Sequence, residues 1–188
     1  MSHREYIREI AGSDTAVLCI HGILGSPDHF SALLRRIPQN WSVCNILLDG
    51  HGKTVRDFSR SSMQKWEMQV KKQLSALAAK YQNIVIAAHS MGTLLAIDAA
   101  RTYPEQIKLL FLLAVPLKAR PTWGALVQAL QVAFSRPAEG SPALTAAKAA
   151  YSIAPDKRLW RYIAWIPRYL ELLQKIKETR NICSDLSV

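Results

Sequence analysis

Four short apolar runs set the strongest limit on what this chain can fold into. They are Thr15-Ala-Val-Leu-Cys-Ile20, Ser42-Val-Cys-Asn-Ile-Leu-Leu48, Asn83-Ile-Val-Ile-Ala-Ala88 and Ile107-Lys-Leu-Leu-Phe-Leu-Leu-Ala-Val115. Rich in branched residues and largely without polar alternation, they fit strands of a parallel sheet covered on both faces. Between the runs the period changes. Trp66, Val70, Leu74, Leu77 and Tyr81 recur at steps of three and four, which predicts one apolar stripe along a long helix. A second helix is expected from about Met91 to Thr102, with Pro104 just beyond it. Strands alternating with helices predict an open, mostly parallel α/β sheet, whose ligand sites form beyond the carboxyl ends of the strands. Gly22, Gly25, Gly50, Gly52 and Gly92 fall at those ends.

The 188 residues are 49% hydrophobic and 20% charged, enough apolar material for one domain with a real core, which excludes disorder and low complexity. Punctuation divides the chain near residue 117. Six of the nine prolines (Pro116, Pro121, Pro137, Pro142, Pro155 and Pro167) break the second part into helical pieces, expected at 121–135, 142–152 and 157–180 with a bend at Pro167. Trp123, Phe134, Tyr151, Trp160, Tyr162, Trp165 and Tyr169 give this part an aromatic load, either as packing between helices or as the lining of an apolar pocket. The net charge of +10 is concentrated there too, with +6 in residues 118–188 against +4 in residues 1–117. No nucleic-acid motif accompanies it, so a solvated helical surface is the expected reading. Cys19, Cys44 and Cys183 are odd in number and widely spaced, and give neither a disulfide framework nor a zinc site. With no apolar leader after Met1 and no run long enough to span a bilayer, the expectation is a cytoplasmic protein without integral membrane association.

Ala88-His89-Ser90-Met91-Gly92 follows a predicted strand and opens a predicted helix. A nucleophile elbow requires that context: a sharp turn lifts the serine hydroxyl above the sheet, and small residues two before and two after it let the turn fit. Here they are Ala88 and Gly92, alanine standing where the usual pattern has its first glycine. His21-Gly22-Ile23-Leu24-Gly25-Ser26 follows the first long strand, and Asp49-Gly50-His51-Gly52 ends the next. Gly52-Lys53-Thr54 ends like a phosphate-binding loop, but Leu47 stands where that motif needs glycine. Gly22-x-x-Gly25 lacks the leading glycine of a dinucleotide fingerprint, and the histidines show no metal-ligand spacing. No cofactor and no metal are expected.

Three such turns in this order resemble the α/β-hydrolase superfamily, in particular the serine-hydrolase branch of carboxylesterases, monoacylglycerol lipases and serine aminopeptidases of the S33 type. The motifs cover residues 13–117. The resemblance implies an α/β-hydrolase core over 1–117, a helical cap over 118–180, and the beginning of a further, missing part at 181–188. It implies Ser90 as nucleophile, the Ile23 and Met91 amides as oxyanion hole, and His21, His51 and His89 as turn residues. Leu24, Trp123 and Trp165 are expected to line the substrate pocket, and a small-molecule acyl ester, thioester or amide is the expected partner.

The same resemblance exposes a gap. The family order is serine, acid, histidine, yet no histidine follows His89. The acids beyond Ser90 are Asp98, Glu105, Glu139, Asp156, Glu171, Glu178 and Asp185, and none follows a predicted strand. The expectation is that the strands carrying the acid and histidine are absent and that this chain alone is inactive, His29 or His51 being the substitute bases to consider. A non-catalytic acyl- or lipid-binding module on the same fold is the alternative, and a membrane-surface role for residues 157–180 a third reading. The sequence leaves the oligomeric state open.

Overall fold

The computed structural model describes residues 3–118 and 151–185. Five strands form one sheet: β1 (Tyr6–Arg8), β2 (Thr15–Ile20), β3 (Ser42–Asn45), β4 (Asn83–His89) and β5 (Ile107–Leu113), in the spatial order β1-β3-β2-β4-β5. β2, β3, β4 and β5 run parallel, so their carboxyl ends lie along one edge, and only β1 is antiparallel. β1 has three residues, too few to show a pattern in the sequence.

Alternate residues of the central strands feed two apolar clusters. Leu18, Ile20, Ile84 and Ile86 meet Trp66, Val70 and Leu74 of α3 (Met63–Ala78) and Met91, Leu95 and Ala99 of α4 (Met91–Thr102). The long helix follows its expected stripe from Trp66 to Leu77 but ends before Tyr81, which the spacing places on the same stripe. Ser62 caps it by accepting from the Lys65 N–H. Val17, Cys19, Val43 and Ala87 point the other way, onto Phe30 and Ile37 beside the short α1 (Ser31–Leu34). This second cover is incomplete among the described residues. Along β5, Leu109, Phe111 and Leu113 stay exposed, where the sequence predicts a strand covered on both faces.

The C-terminal region differs from its expected form. In place of one helix bent at Pro167, a 3-10 turn over Leu159–Trp165 leads into α5 (Ile166–Asp185). Pro167 is the second residue of that helix, where its missing N–H would have had no partner anyway. The 3-10 turn packs on α2 (Val55–Ser59), and α5 lies against α3 and α4. The expected helix at 121–135, most of that at 142–152, and Trp123 lie outside the described residues. Where the chain is described again it returns to the carboxyl edge: the Ser152 N–H donates to the Leu24 carbonyl at 2.9 Å and the Ala154 N–H to that of Lys53.

Two buried histidines brace the loops at that edge. His21 reaches the Gly22 carbonyl through Nδ1 (2.8 Å) and accepts the Leu48 N–H at Nε2 (3.0 Å). His51 reaches the Leu48 and Asp49 carbonyls through Nδ1 and accepts the Leu24 N–H at Nε2 (3.1 Å). An imidazole that accepts at one nitrogen and donates from the other is neutral. Burial strengthens this, holding His21 well below the ordinary histidine range and bringing His51 down to about 4.

Two tests follow from the packing. Lys175 is buried and joins α5 to its neighbours, with Glu67 of α3 at 2.6 Å and Asp98 of α4 at 3.4 Å. Lys175→Ala leaves both carboxylates facing each other without their cation, and a loss of about 2 kcal/mol in urea unfolding is expected. An unchanged midpoint would remove this anchor from the description. The histidines predict a pH dependence. Below pH 6.5 the unfolded chain takes up a proton that folded His51 refuses until about pH 4. Stability therefore falls as pH drops through that window, by about 2 kcal/mol at about pH 5 from His51 alone. A urea midpoint that stays flat on acidification would contradict the brace.

Candidate active site

β4 ends at His89, and the chain turns through Ser90 directly into α4. Ser90 has φ 51° and ψ −122°, a left-handed conformation that costs a residue with a side chain about 1–3 kcal/mol. Its surroundings hold it there. The Ser90 N–H donates to the Leu113 carbonyl at the end of β5 (2.9 Å), and the Ser90 carbonyl accepts from both the Thr93 N–H (2.9 Å) and the Thr93 hydroxyl (2.6 Å). The elbow is thus tied to the neighbouring strand on one side and to its own helix on the other.

Two glycines make room for it. A Cβ on Gly22 would stand 2.8 Å from Cβ of Ser90, so the turn after β2 can lie this close to Ser90 only without a side chain. A Cβ on Gly92 would overlap the Ile20 carbonyl oxygen and come within 2.7 Å of that of His21. The first turn of α4 is seated on the carboxyl end of β2 in consequence. The first amides of a helix have no intrahelical acceptor and carry a positive partial charge, so the Met91 N–H lies where negative charge is favoured.

Ile23 and Leu24 occupy the turn that follows Gly22, closed by the Gly25 N–H donating to the Gly22 carbonyl at 3.0 Å. Leu24 also has a positive φ, 59°, with its N–H held by His51 and its carbonyl by Ser152. Both are half-buried against the main apolar cluster. Gly22 therefore brings Ile23, Leu24, Ser90 and Met91 into one neighbourhood. Trp165 sits apart from it in contact terms: its ring is buried edge-on to Phe58 and Tyr162, and its Nε1–H donates to the Val55 carbonyl at 3.0 Å. It shares the apolar cluster that Leu24 touches.

A second pair of histidines also meets at this edge, with no spacing in the sequence that marks them as a pair. His29 and His89 stack with ring centroids 4.7 Å apart and planes 21° from parallel. Gly25 lets His29 come in, since a Cβ there would be 2.8 Å from its Cε1. His29 Nδ1 lies 3.3 Å from the Ser26 carbonyl, while His89 Nδ1 is buried with no hydrogen-bond partner among the described residues. Burial lowers the pKa of both, and for His29 the neighbouring His89 adds to it. The signal in the sequence was faint: Ser26-Pro27-Asp28 caps a 3-10 turn that swings His29 back over Gly25. Among the described residues no hydrogen bond joins Ser90 Oγ to a histidine, and no group of three or more histidine, cysteine or acidic side chains gathers as a metal site.

Comparison with known proteins agrees with this architecture. Residues 11–181 match the family of serine aminopeptidase, S33. Over 90 residues the chain is 29% identical to a thermostable monoacylglycerol lipase of Bacillus sp. (strain H-257), covering 47% of this chain and 36% of that protein. Among solved structures, one from work on the metagenome-derived lipolytic enzymes LipS and LipT superposes with a TM-score of 0.57 at 24% identity, covering 73% of this chain and 54% of the other. A carboxylesterase structure from Nitrososphaera gargenis gives 0.59 at 12% identity, covering 94% and 73%. These likenesses carry the fold. The chain spans about a third of the curated relative it matches and about half of the lipolytic enzyme. The chain belongs to the serine aminopeptidase S33 family and has the α/β-hydrolase fold.

Proposed function

We propose that the chain carries the nucleophile half of a serine hydrolase site for carboxylic esters, with amides or thioesters as related substrates. In this reading Ser90 Oγ attacks the acyl carbon, and the Ile23 and Met91 amides receive the developing oxyanion. The acyl group lies against Leu24 and the apolar cluster that includes Trp165. The observation that carries the reading is the strained Ser90 turn between β4 and α4, with Gly22 packed against it. The tight reversal costs any residue with a side chain, and the residue placed there is one whose hydroxyl a nucleophile elbow presents above the sheet.

The base is the weak point of the chain on its own. No histidine follows His89, and both ring nitrogens of His21 and of His51 are engaged by the backbone. His51 is therefore unsuited as a substitute base. Residues 118–180 serve as the cap in this proposal, with 159–185 anchored on α2, α3 and α4. The same engaged histidines favour one second reading, a non-catalytic module that binds acyl groups without turning them over.

Hydrolysis of a short-chain nitrophenyl ester by the purified chain and by Ser90→Ala separates these readings. The wild-type chain is expected to be slow, within the ~10³–10⁴-fold over water that oxyanion donors and binding supply without a base. Added imidazole, which can accept the serine proton, is expected to raise the Ser90-dependent part of the rate. Equal rates in both proteins at every imidazole concentration would overturn Ser90 as nucleophile and leave the binding module. Fast turnover without imidazole, abolished by Ser90→Ala, would show that the chain holds its own base, and His29 would be mutated first.

A further inference from the structure

The C-terminal segment has two apolar faces, and only one of them is used. Trp165, Leu172 and Ile176 turn inward, with Trp165 and Ile176 buried and Leu172 packed against the main cluster. On the outward side, Trp160 and Ile163 are each 65% exposed, followed by exposed Ile166, Leu170 and Leu173, with Leu159 beside them. The change of helix type keeps these residues in line. Steps of three suit the three-residue turn of the 3-10 segment that carries Trp160 and Ile163. Steps of four and three then suit α5, holding Ile166, Leu170 and Leu173 within a narrow arc. The result is one continuous stripe of large apolar side chains facing solvent.

Cations stand at both ends of that stripe. Beyond Leu173 the same steps lead to Lys177 and Arg180, both exposed. At the other end a groove of about 630 Å³ beside Trp160 and Ile163 is lined by Arg56, Ser59, Arg161 and Ala164. Lys157 and Arg158 are exposed next to it. Two acids lie at this end: Asp156 bonds Arg161 at 2.6 Å and Arg158 at 3.5 Å, and Asp57 of α2 bonds Thr54. Against Arg56, Lys157, Arg158 and Arg161 they still leave the end cationic. Glu171 and Glu178 lie off the stripe, bound to Arg168 and to Lys175. No position of the stripe itself carries a carboxylate.

We propose that this face docks on an anionic phospholipid surface. The apolar stripe enters the boundary between headgroups and acyl chains, the Trp160 ring sits at headgroup depth, and the flanking cations meet phosphate groups. The proposed contact is with one leaflet, and no helix of the described residues is long and apolar enough to cross a membrane. Charge decides against the simplest competing occupant. A second copy of this chain would also bring +10, and the two cationic faces would repel each other. A nucleic acid would satisfy the cations but leave six large apolar side chains in water. This surface is independent of the reading of Ser90.

Co-sedimentation of the full 188-residue chain with phospholipid vesicles tests it. Vesicles of phosphatidylcholine mixed with phosphatidylglycerol are expected to carry the protein down, and pure phosphatidylcholine vesicles far less. Replacing Trp160 and Ile163 together by Ser is expected to weaken partitioning by about tenfold or more, and Lys177→Gln and Arg180→Gln by about fivefold each. All these positions are exposed, and an unchanged thermal melt shows that the variants fold. Ser90→Ala is expected to bind as the wild type does. Failure of the wild type to sediment with the anionic vesicles would overturn the proposal. So would a Trp160/Ile163 variant that binds like the wild type, because charge alone would then explain the binding. A dimer in light scattering that the same variant dissolves would assign the face to a second copy instead.

Discussion

The first turn of α4 rests on the carbonyl ends of β2 at a separation that no residue with a side chain at position 92 can keep. The rest of the site depends on this contact. Because α4 begins so close to the sheet, the chain has a single residue in which to reverse from strand to helix, and Ser90 takes the left-handed conformation that the reversal demands. The cost is offset where it arises. Both Thr93 donors close on the Ser90 carbonyl, and the Ser90 N–H extends the hydrogen bonding of β4 to the end of β5. Gly22 completes the arrangement by letting the neighbouring turn approach Ser90.

The histidines of this edge are used as structural brackets. His21 and His51 link the turn after β2, the turn after β3 and, through Leu24, the segment at Ser152. Each does so as a neutral ring with both nitrogens occupied, which fixes Ile23 and Leu24 beside Ser90 but leaves no nitrogen for proton transfer. His21 and His51 thus position the loops without a free nitrogen. In the proposed reading, the serine, the two backbone turns and the apolar wall are the part of an acyl-transfer site that needs no base.

Much of this was legible in the sequence because its causes are local. Branched apolar runs ending in glycine announce buried strands with tight turns, and the stripe from Trp66 to Leu77 announces α3. The elbow could be read from Ala88, Ser90 and Gly92 because strain and close approach restrict residue type at those positions. What escaped depends on contacts distant in sequence. The stacking of His29 on His89 needs residues sixty positions apart to meet. The 3-10 turn before Pro167 ends at Trp165, which bonds the Val55 carbonyl across the domain, a partner that spacing alone does not reveal. The exposure of Leu109, Phe111 and Leu113 was hidden because an apolar run looks the same whether or not something covers it.

The seating of α4 on β2 can be tested without any assumption about chemistry, by urea unfolding of Gly92→Ala. One methyl group would have to displace the Ile20 and His21 carbonyls or lift the helix, and a loss of about 3 kcal/mol is expected despite the better helix propensity of alanine. A Gly92→Ala protein as stable as the wild type, or more stable, would mean that α4 does not rest on β2 in this way, and the Ser90 turn would lose its physical basis.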